Sequence, residues 1–218
     1  GKSDGMKTFN MSLSELLSQN RISKDVADMH KGIMGNQWQS FSLINGEKNR
    51  KEAIGSAHYI SNTDLNKYNN TNIHQILNKV PGINLQEEDG FGLRPNISLR
   101  GTSPERSSKI TIMEDGILAA PAPYSASSAY YFPSVARMSA VELLKGSSQI
   151  QYGPNTTGGV INFVSSEISD SLKIDIENSY GSFRSGKLLS RISNSNETLG
   201  YLFEYLNFNS DGFKTIEG

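Results

Sequence analysis

Three histidines are the side chains best suited to proton transfer or metal binding, and their positions argue against both roles. His30, His58 and His74 lie far apart in unlike segments, and the chain has no cysteine. We find no Ser-His-Asp arrangement and no spacing typical of metal ligands. The acidic run Glu87-Glu88-Asp89 has the oxygen atoms that a cation binds, although such runs are usually only solvated. The sequence therefore predicts no enzyme, no metal site and no intrinsic cofactor.

Length and charge limit the class of protein further. The chain has 218 residues, a net charge of −1 and 36% hydrophobic residues. This is enough for one or two domains with a core, but it gives no strong field that would attract nucleic acid. No apolar run reaches the roughly 18 residues that a membrane-spanning helix needs. No signal peptide is recognisable either, so we expect that one has been removed or was never carried.

Short apolar strands separated by loops occupy the middle of the chain. The patterns predict a short helix from Asp64, capped by Asn62 or Thr63, and a second helix over 72–79 that Pro81-Gly82 ends. They predict strands at 57–61, 83–86, 97–101, 110–113, 141–144 and 160–164. Helices are also expected within residues 13–33. Gly158 and Gly159 directly precede the last strand, which indicates a sharp bend or the close approach of another backbone.

Beyond Ile168 the pattern changes to strict alternation of apolar and polar residues. Ile174 and Ile176 alternate with Lys173, Asp175 and Glu177. Two further runs follow at 186–193 and 201–208, separated by polar turns, so we expect three antiparallel strands in two hairpins. This alternation is typical of strands with lipid on one face and a polar lumen on the other, and soluble sandwiches alternate similarly.

Five short motifs follow one another between residues 80 and 164. They are VPGIN at 80–84, RPNISLRGT at 94–102, ITIMEDGI at 110–117, VELLKG at 141–146 and YGPNTTGGVINFV at 152–164. In this order they resemble the plug domain of TonB-dependent outer-membrane receptors. Any one of them alone would be weak, but five ordered matches are specific. Within the family, the segment APAPY at 120–124 is most similar to ferric citrate receptors and their relatives.

The resemblance implies an α+β plug domain with a small mixed sheet, followed by antiparallel β-strands of an incomplete outer-membrane β-barrel. We assign an N-terminal, helical extension of no known role to 1–46, the plug domain to 47–168 and the first barrel strands to 169–218. The barrels of such plugged transporters have many more strands than three. We therefore expect the chain to be a fragment of a longer receptor.

The resemblance also implies a function without chemistry on the substrate. We expect a receptor in the bacterial outer membrane, with the plug inside the barrel lumen, that binds and imports a ferric chelate such as ferric citrate or a siderophore. Its partners would be TonB in the periplasm, the chelate and outer-membrane lipid, with no nucleic acid. The alternatives are a binding-only plug module, a receptor for another nutrient such as cobalamin or an oligosaccharide, and a bacteriocin docking surface.

An anionic chelate needs cationic and hydroxyl donors, which the loops of the resembling segment contain. The predicted ligand-binding residues are Arg94, Thr102, Arg106, Lys109, Tyr124, Ser125 and Tyr130. Glu114 and Asp115 are expected to be structural. The extended stretch at 41–45 is a candidate for adding a strand to TonB, and a plain linker strand is the alternative.

Overall fold

The strands and helices form three sheets and two short helices in the part of the chain that the structure describes. This computed structural model describes residues 42–44, 50–51, 55–67, 72–89, 91–119, 131–153, 156–196 and 198–212. The elements are β1 (Ser56–Ile60), α1 (Asn62–Asn66), α2 (Ile73–Leu77), β2 (Ile83–Gln86), β3 (Asn96–Leu99), β4 (Ile110–Glu114), β5 (Ile117–Leu118), β6 (Met138–Lys145), β7 (Gly159–Ser165), β8 (Lys173–Tyr180), β9 (Gly186–Ser195) and β10 (Gly200–Asn209). The helices predicted within residues 13–33 lie outside the described residues.

A five-stranded mixed sheet forms the centre of the first part of the chain. Its strand order is β1-β6-β7-β4-β5. β7 pairs antiparallel with β6 on one side and parallel with β4 on the other. β2 and β3 form a separate antiparallel hairpin. The predicted α+β fold with a small mixed sheet is therefore confirmed.

The main core lies between one face of this sheet and the two helices with the β2-β3 hairpin. Val141, Leu143, Ile161 and Phe163 are fully buried on this face and belong to one cluster with side chains of α1, α2 and β3. The other face carries a smaller cluster that includes Leu144 and Val160. Because β6 and β7 are buried on both faces, their sequences are almost continuously apolar rather than alternating.

Several element boundaries differ from those predicted. α1 begins at Asn62, because the Ser61 hydroxyl accepts a hydrogen bond from the Asp64 amide at 3.3 Å and so caps the helix. α2 ends at Leu77, where the Val80 N–H turns back to the Leu77 carbonyl at 2.8 Å just before Pro81. No helix in the described part of the chain is both long and apolar enough to cross a membrane.

Two strands also differ from their sequence patterns. β3 does not alternate in burial, since Ile97, Ser98 and Leu99 are all fully buried. β6 begins at Met138, three residues before the predicted start at Val141. Its first residues continue the pairing with β7, where Met138 lies opposite Ser165 and Ala140 opposite Val164, with an irregular register between them.

The glycine pair before β7 is explained by close packing. A Cβ atom on Gly159 would lie 2.8 Å from the Leu144 carbonyl oxygen and 2.5 Å from Leu99 Cδ1. A Cβ atom on Gly158 would lie 3.0 Å from the carbonyl oxygen of Lys109. Of the two predicted explanations, the close approach of another backbone is confirmed.

The last three strands form an antiparallel sheet in the order β10-β9-β8, as predicted. One face carries the exposed side chains of Ile174, Ile176, Phe203 and Tyr205, each at least 59% exposed. The opposite face buries Leu189 and faces the plug. The sequence alternation therefore separates an outward apolar face from an inward face.

A hydrogen bond and a ring contact join the inward face to the plug. Arg191 donates a hydrogen bond from Nη2 to the Ala136 carbonyl at 3.3 Å. The rings of Phe91 and Phe208 pack edge to face with centroids 5.9 Å apart. The antiparallel strands thus follow the plug in sequence and also lie against it.

We predict that Gly159→Ala lowers the free energy of unfolding by about 1–3 kcal/mol, because the added methyl group has no space against the Leu144 backbone. Gly181→Ala is the matched control, since the nearest atom to a Cβ there is Ser185 Cβ at 4.0 Å. Thermal unfolding of the two full-length variants in detergent measures the difference. Equal melting temperatures would contradict the close packing at β7.

Candidate functional site

The loop between β2 and β3 is organised around one carboxylate. Asp89 Oδ1 accepts hydrogen bonds from the amides of Phe91 at 2.8 Å, Gly92 at 2.7 Å and Leu93 at 3.3 Å. Its Oδ2 accepts the Arg94 amide at 2.8 Å. We call residues 89 and 91–94 the Asp89 loop. Four backbone donors to one side chain fix its conformation without regular secondary structure.

These hydrogen bonds also set the charge state of the loop. Partial burial alone would raise the pKa of Asp89, but the backbone N–H groups, led by those of Phe91 and Arg94, outweigh it. The pKa therefore lies below its ordinary value of 3.8. The carboxylate is charged at neutral pH because hydrogen bonds to the charged form favour it.

The start of α2 supports the Asp89 loop from one side. Asn72 caps the helix by accepting the His74 amide at 2.8 Å and donates from Nδ2 to Glu87 Oε1 at 3.1 Å. A Cβ atom on Gly92 would lie 2.5 Å from Asn72 Oδ1. The loop is therefore packed directly onto the helix start, and the exposed side chain of Arg94 follows at its end.

A second loop, residues 102–109, folds back along β3. The Ser107 hydroxyl is fully buried, donates to the Pro95 carbonyl at 2.9 Å and accepts the Ile97 amide at 2.9 Å. The Arg106 amide donates to Asn96 Oδ1 at 2.9 Å, with Arg106 at a left-handed φ of 49°. These bonds hold the 3₁₀ turn Glu105–Ser107 against the strand.

Asn96 joins the two loops. While its Oδ1 accepts the Arg106 amide, its Nδ2 donates to Glu88 Oε2 at 3.2 Å. A polar cavity of about 410 Å³ opens beside these residues and is lined by Glu88, Asn96 and Arg106 among others. Arg94 and Arg106 therefore belong to two loops that meet at a single side chain.

The predicted ligand-binding residues occupy different positions in this arrangement. Arg94, Arg106 and Lys109 are exposed. Thr102 is half-buried, and its hydroxyl donates to the Leu99 carbonyl at 2.9 Å within its own turn. Tyr124, Ser125 and Tyr130 lie outside the described residues. Ligand contact by these seven residues stays a prediction.

A polar cluster holds the chain where it returns from residues 120–130. Arg137 pairs with Glu114 and donates to the Tyr131 hydroxyl at 2.9 Å, and that hydroxyl donates to Glu114 at 2.7 Å. Burial and then the hydrogen bond to Glu114 raise the pKa of Tyr131. Burial lowers the pKa of Arg137, but the Glu114 carboxylate outweighs this and the net pKa is raised.

Glu114 and Asp115 have the structural roles that the sequence predicted. Glu114 belongs to the cluster with Arg137, and Asp115 Oδ1 accepts the Ser165 amide at 2.9 Å. This second bond ties the β4-β5 turn to the end of β7.

Ion pairs link the three strands β8, β9 and β10 on the inward face of their sheet. Arg191 lies between Glu177, with Nη1 and Oε1 3.1 Å apart, and Glu204, with Nε and Oε1 2.9 Å apart. Lys187 Nζ lies 3.6 Å from the other Glu177 oxygen. The same guanidinium binds the Ala136 carbonyl. The inward face of the sheet is thus charged around the contact between Arg191 and Ala136.

The arrangement is suited to binding. Within the described ranges, no set of three or more His, Asp or Glu side chains is arranged to hold a metal ion. The loops, whose backbones are fixed by Asp89, Asn96 and Ser107, carry exposed guanidinium and ammonium heads beside the exposed carboxylates of Glu88 and Glu105. Cationic donors on fixed loops are suited to an anionic ligand.

Sequence reasoning missed the three residues that organise these loops. Asp89 was considered within an acidic run, although an Asp followed by two glycines in the next three positions is typical of a side chain that accepts turn amides. Asn96 and Ser107 gave no signal of this kind. Their partners lie about ten residues away along the chain and are known only from the fold.

Comparisons with known proteins agree with this architecture. A family model described as "TonB-dependent Receptor Plug Domain" matches residues 49–160. The unliganded ferric citrate transporter FecA is 26% identical with a TM-score of 0.62, and the match covers 76% of this chain and 27% of that chain.

Two further solved receptors share the fold at lower identity. A mutant of the ferric enterobactin receptor PfeA from Pseudomonas aeruginosa is 19% identical with a TM-score of 0.53, over 71% of this chain and 24% of that one. FpvAI in its complex with pyocin S2 is 20% identical with a TM-score of 0.56, over 73% and 20%. The chain therefore spans about a quarter of the length of the receptors it matches.

We predict that Asp89→Asn loosens the Asp89 loop at neutral pH. The amide has no negative charge and replaces one acceptor oxygen with a donor, so the amides of residues 91–94 should exchange at least about tenfold faster, as expected for the loss of roughly 1.4 kcal/mol of protection. Hydrogen exchange of the full-length protein measures this. Glu88→Gln is the control, since that carboxylate accepts only the Asn96 side chain among the bonds described above.

The protection of the Asp89 loop against hydrogen exchange should depend on pH in a defined direction. Because the folded pKa of Asp89 is depressed, its contribution is fully present above the ordinary value of 3.8 and is lost as the pH falls through the lower folded pKa. Exchange corrected for intrinsic rates should therefore accelerate below this value in the wild-type loop and not in Asp89→Asn. A loop with equal protection in both proteins would refute the role of Asp89.

Proposed function

The chain belongs to the TonB-dependent receptor plug domain family, and from this premise we propose that it forms the plug and first barrel strands of an outer-membrane receptor that imports a ferric chelate. Ferric citrate or a siderophore is the proposed substrate class. The observation that carries this proposal is the match to the unliganded ferric citrate transporter over 76% of this chain at 26% identity. The family is one of transport receptors, so no chemical step on the substrate is required.

The mechanism follows from the position of the plug. The turn Val135–Arg137, just before β6, meets the inward face of β8 to β10, where Arg191 binds the Ala136 carbonyl. A ligand on the outer side can move inward only if the plug shifts or rearranges within a closed barrel. That rearrangement costs free energy, which TonB would supply from the periplasmic side.

The location in the outer membrane is supported by the outward face of the last sheet. Ile176 and Phe203 are 69% and 67% exposed there, next to other apolar and aromatic side chains. Exposed apolar and aromatic side chains on one face of strands whose other face is charged are typical of barrel strands in lipid. Outer-membrane lipid is therefore the proposed neighbour of this face.

An anionic chelate is the ligand class that the loops favour. Arg94 and Arg106 extend from two loops that meet at Asn96, and Lys109 follows directly. Hydrogen bonds to charged groups each contribute about 1.5–3 kcal/mol when water is excluded. Thr102 and the residues Tyr124, Ser125 and Tyr130 would add neutral hydroxyl donors around these cations.

Uptake of radiolabelled iron by cells that carry the full-length gene tests the proposal. The substrates are ferric citrate and ferric complexes of hydroxamate and catecholate siderophores, supplied to strains with and without TonB. We expect at least one ferric chelate to be imported only when TonB is present. Import of cobalamin or an oligosaccharide alone, or sensitivity to a bacteriocin without iron uptake, would contradict the proposal.

The ligand-binding role is tested by the double substitution Arg106→Ala and Lys109→Ala. Removal of two cations should raise the dissociation constant for the imported chelate at least tenfold, which corresponds to about 1.4 kcal/mol. Binding of the labelled chelate to intact cells measures this. Lys173→Ala is the control, since this exposed lysine of β8 pairs with Asp175 on the inward face of the sheet. An unchanged constant in the double variant would remove these residues from the binding site.

A further inference from the structure

A fully buried carboxylate lies on the second face of the plug sheet. Glu142, in the middle of β6, is 0% exposed. Its Oε2 accepts the Leu43 amide at 2.7 Å and Asn162 Nδ2 at 3.0 Å. Its Oε1 accepts the Ile44 amide at 3.2 Å and the Ser42 hydroxyl. Each of these four donors is a neutral group.

Three of the four donors come from one short segment about 100 residues upstream. A buried carboxylate is strongly unfavourable unless hydrogen bonds replace its hydration. Residues 42–44 therefore supply three of the four hydrogen bonds that replace the hydration of the Glu142 carboxyl group. The dependence is mutual, because the same bonds satisfy the backbone donors of the segment.

Apolar contact adds to this polar recognition. Ile44 is 4% exposed and packs in the second cluster with Met113, Leu144 and Val160. The segment thus inserts one aliphatic side chain into the sheet face while its consecutive amides bind one carboxylate. Such combined side-chain and backbone recognition is how an extended peptide is usually bound.

Asn162 fixes the direction in which the carboxylate is held. Its Oδ1 accepts the Gly116 amide at 2.9 Å, which leaves Nδ2 pointing to Glu142. Asn162 lies opposite Glu142 in the β6-β7 pairing. The receiving group is therefore oriented by the sheet itself and by the β4-β5 turn.

We propose that Glu142 and Asn162 form an intramolecular peptide-binding site that clamps residues 42–44 onto the plug. In this state the amides of Leu43 and Ile44 are bound to Glu142, and the segment is fastened to the second face of the sheet. The clamp does not depend on the proposed function.

Hydrogen exchange of the full-length protein tests the clamp directly. In Glu142→Gln one of the two accepting oxygens is replaced by an amide donor while the shape is retained. The amides of Leu43 and Ile44 should exchange at least tenfold faster, and those of β4 and β7 should keep their protection. Glu167→Gln is the matched control, since Glu167 is exposed at the end of the same sheet, and it should change neither set of amides.

Two results would overturn the proposal. One is unchanged exchange of residues 42–44 in Glu142→Gln. The other is equal loss of protection throughout β4, β6 and β7, which would make Glu142 a support of the whole sheet.

Ser42→Ala provides an independent variant that leaves the carboxylate in place. Loss of one hydroxyl donor should accelerate exchange at residues 43 and 44 by a smaller factor than Glu142→Gln, and no acceleration at all would contradict the clamp. Since exchange is measured without any substrate, a failure of iron uptake would refute the proposed function and leave the clamp standing.

Discussion

The close approach of β7 to its neighbours is the constraint on which the rest of the plug depends. β7 is the middle strand of the five and pairs parallel to β4 on one side and antiparallel to β6 on the other. It can begin where it does only because Gly158 and Gly159 leave space for the backbones of Lys109 and Leu144. Parallel pairing with β4 fixes where the loop 102–109 ends, since the Gly158 amide binds the Lys109 carbonyl at 2.7 Å. The position of the cationic loop residues is therefore a consequence of sheet packing.

At three places an acidic or basic side chain binds backbone groups and holds them in position. Asp89 binds the amides of its own loop, Glu142 binds those of residues 42–44, and Arg191 binds the Ala136 carbonyl. The physics is the same, because a charge that loses water must be given fixed dipoles in exchange. The difference is sequence separation, from a few residues for Asp89 to about a hundred for Glu142. Local cases rigidify a loop, and distant ones fasten one part of the chain to another.

The distance along the chain between interacting residues also explains what could be predicted from the sequence. The strands with strong apolar runs, the three alternating strands and the glycine pair gave local signals, and the structure contains all of them. The strand β3 was predicted, but the burial of Ser98 together with Ile97 and Leu99 was not, because burial on both sides depends on neighbours that the local pattern does not contain. The sequence around Glu142 predicts only a strand. The groups in residues 42–44 that donate hydrogen bonds to it lie far upstream. Ligand residues were chosen by type, which cannot distinguish the Thr102 hydroxyl, bonded within its own turn, from an exposed guanidinium such as that of Arg106.

The apolar core inside the plug and the polar boundary between the plug and the three-stranded sheet differ in how they respond to displacement. Inside the plug, Leu143, Ile161 and Phe163 are fully buried in one continuous apolar cluster, and exposing such side chains to water is unfavourable over their whole area. Between the plug and the three-stranded sheet lies a polar cavity of about 630 Å³, lined by Ser139 and Asn66 on one side and by Asp175 and Arg191 on the other. Polar groups at this boundary can exchange their partners for water at little net cost. The boundary is therefore weaker than the core, and a pull on the plug would separate it from the strands before it opened the apolar cluster.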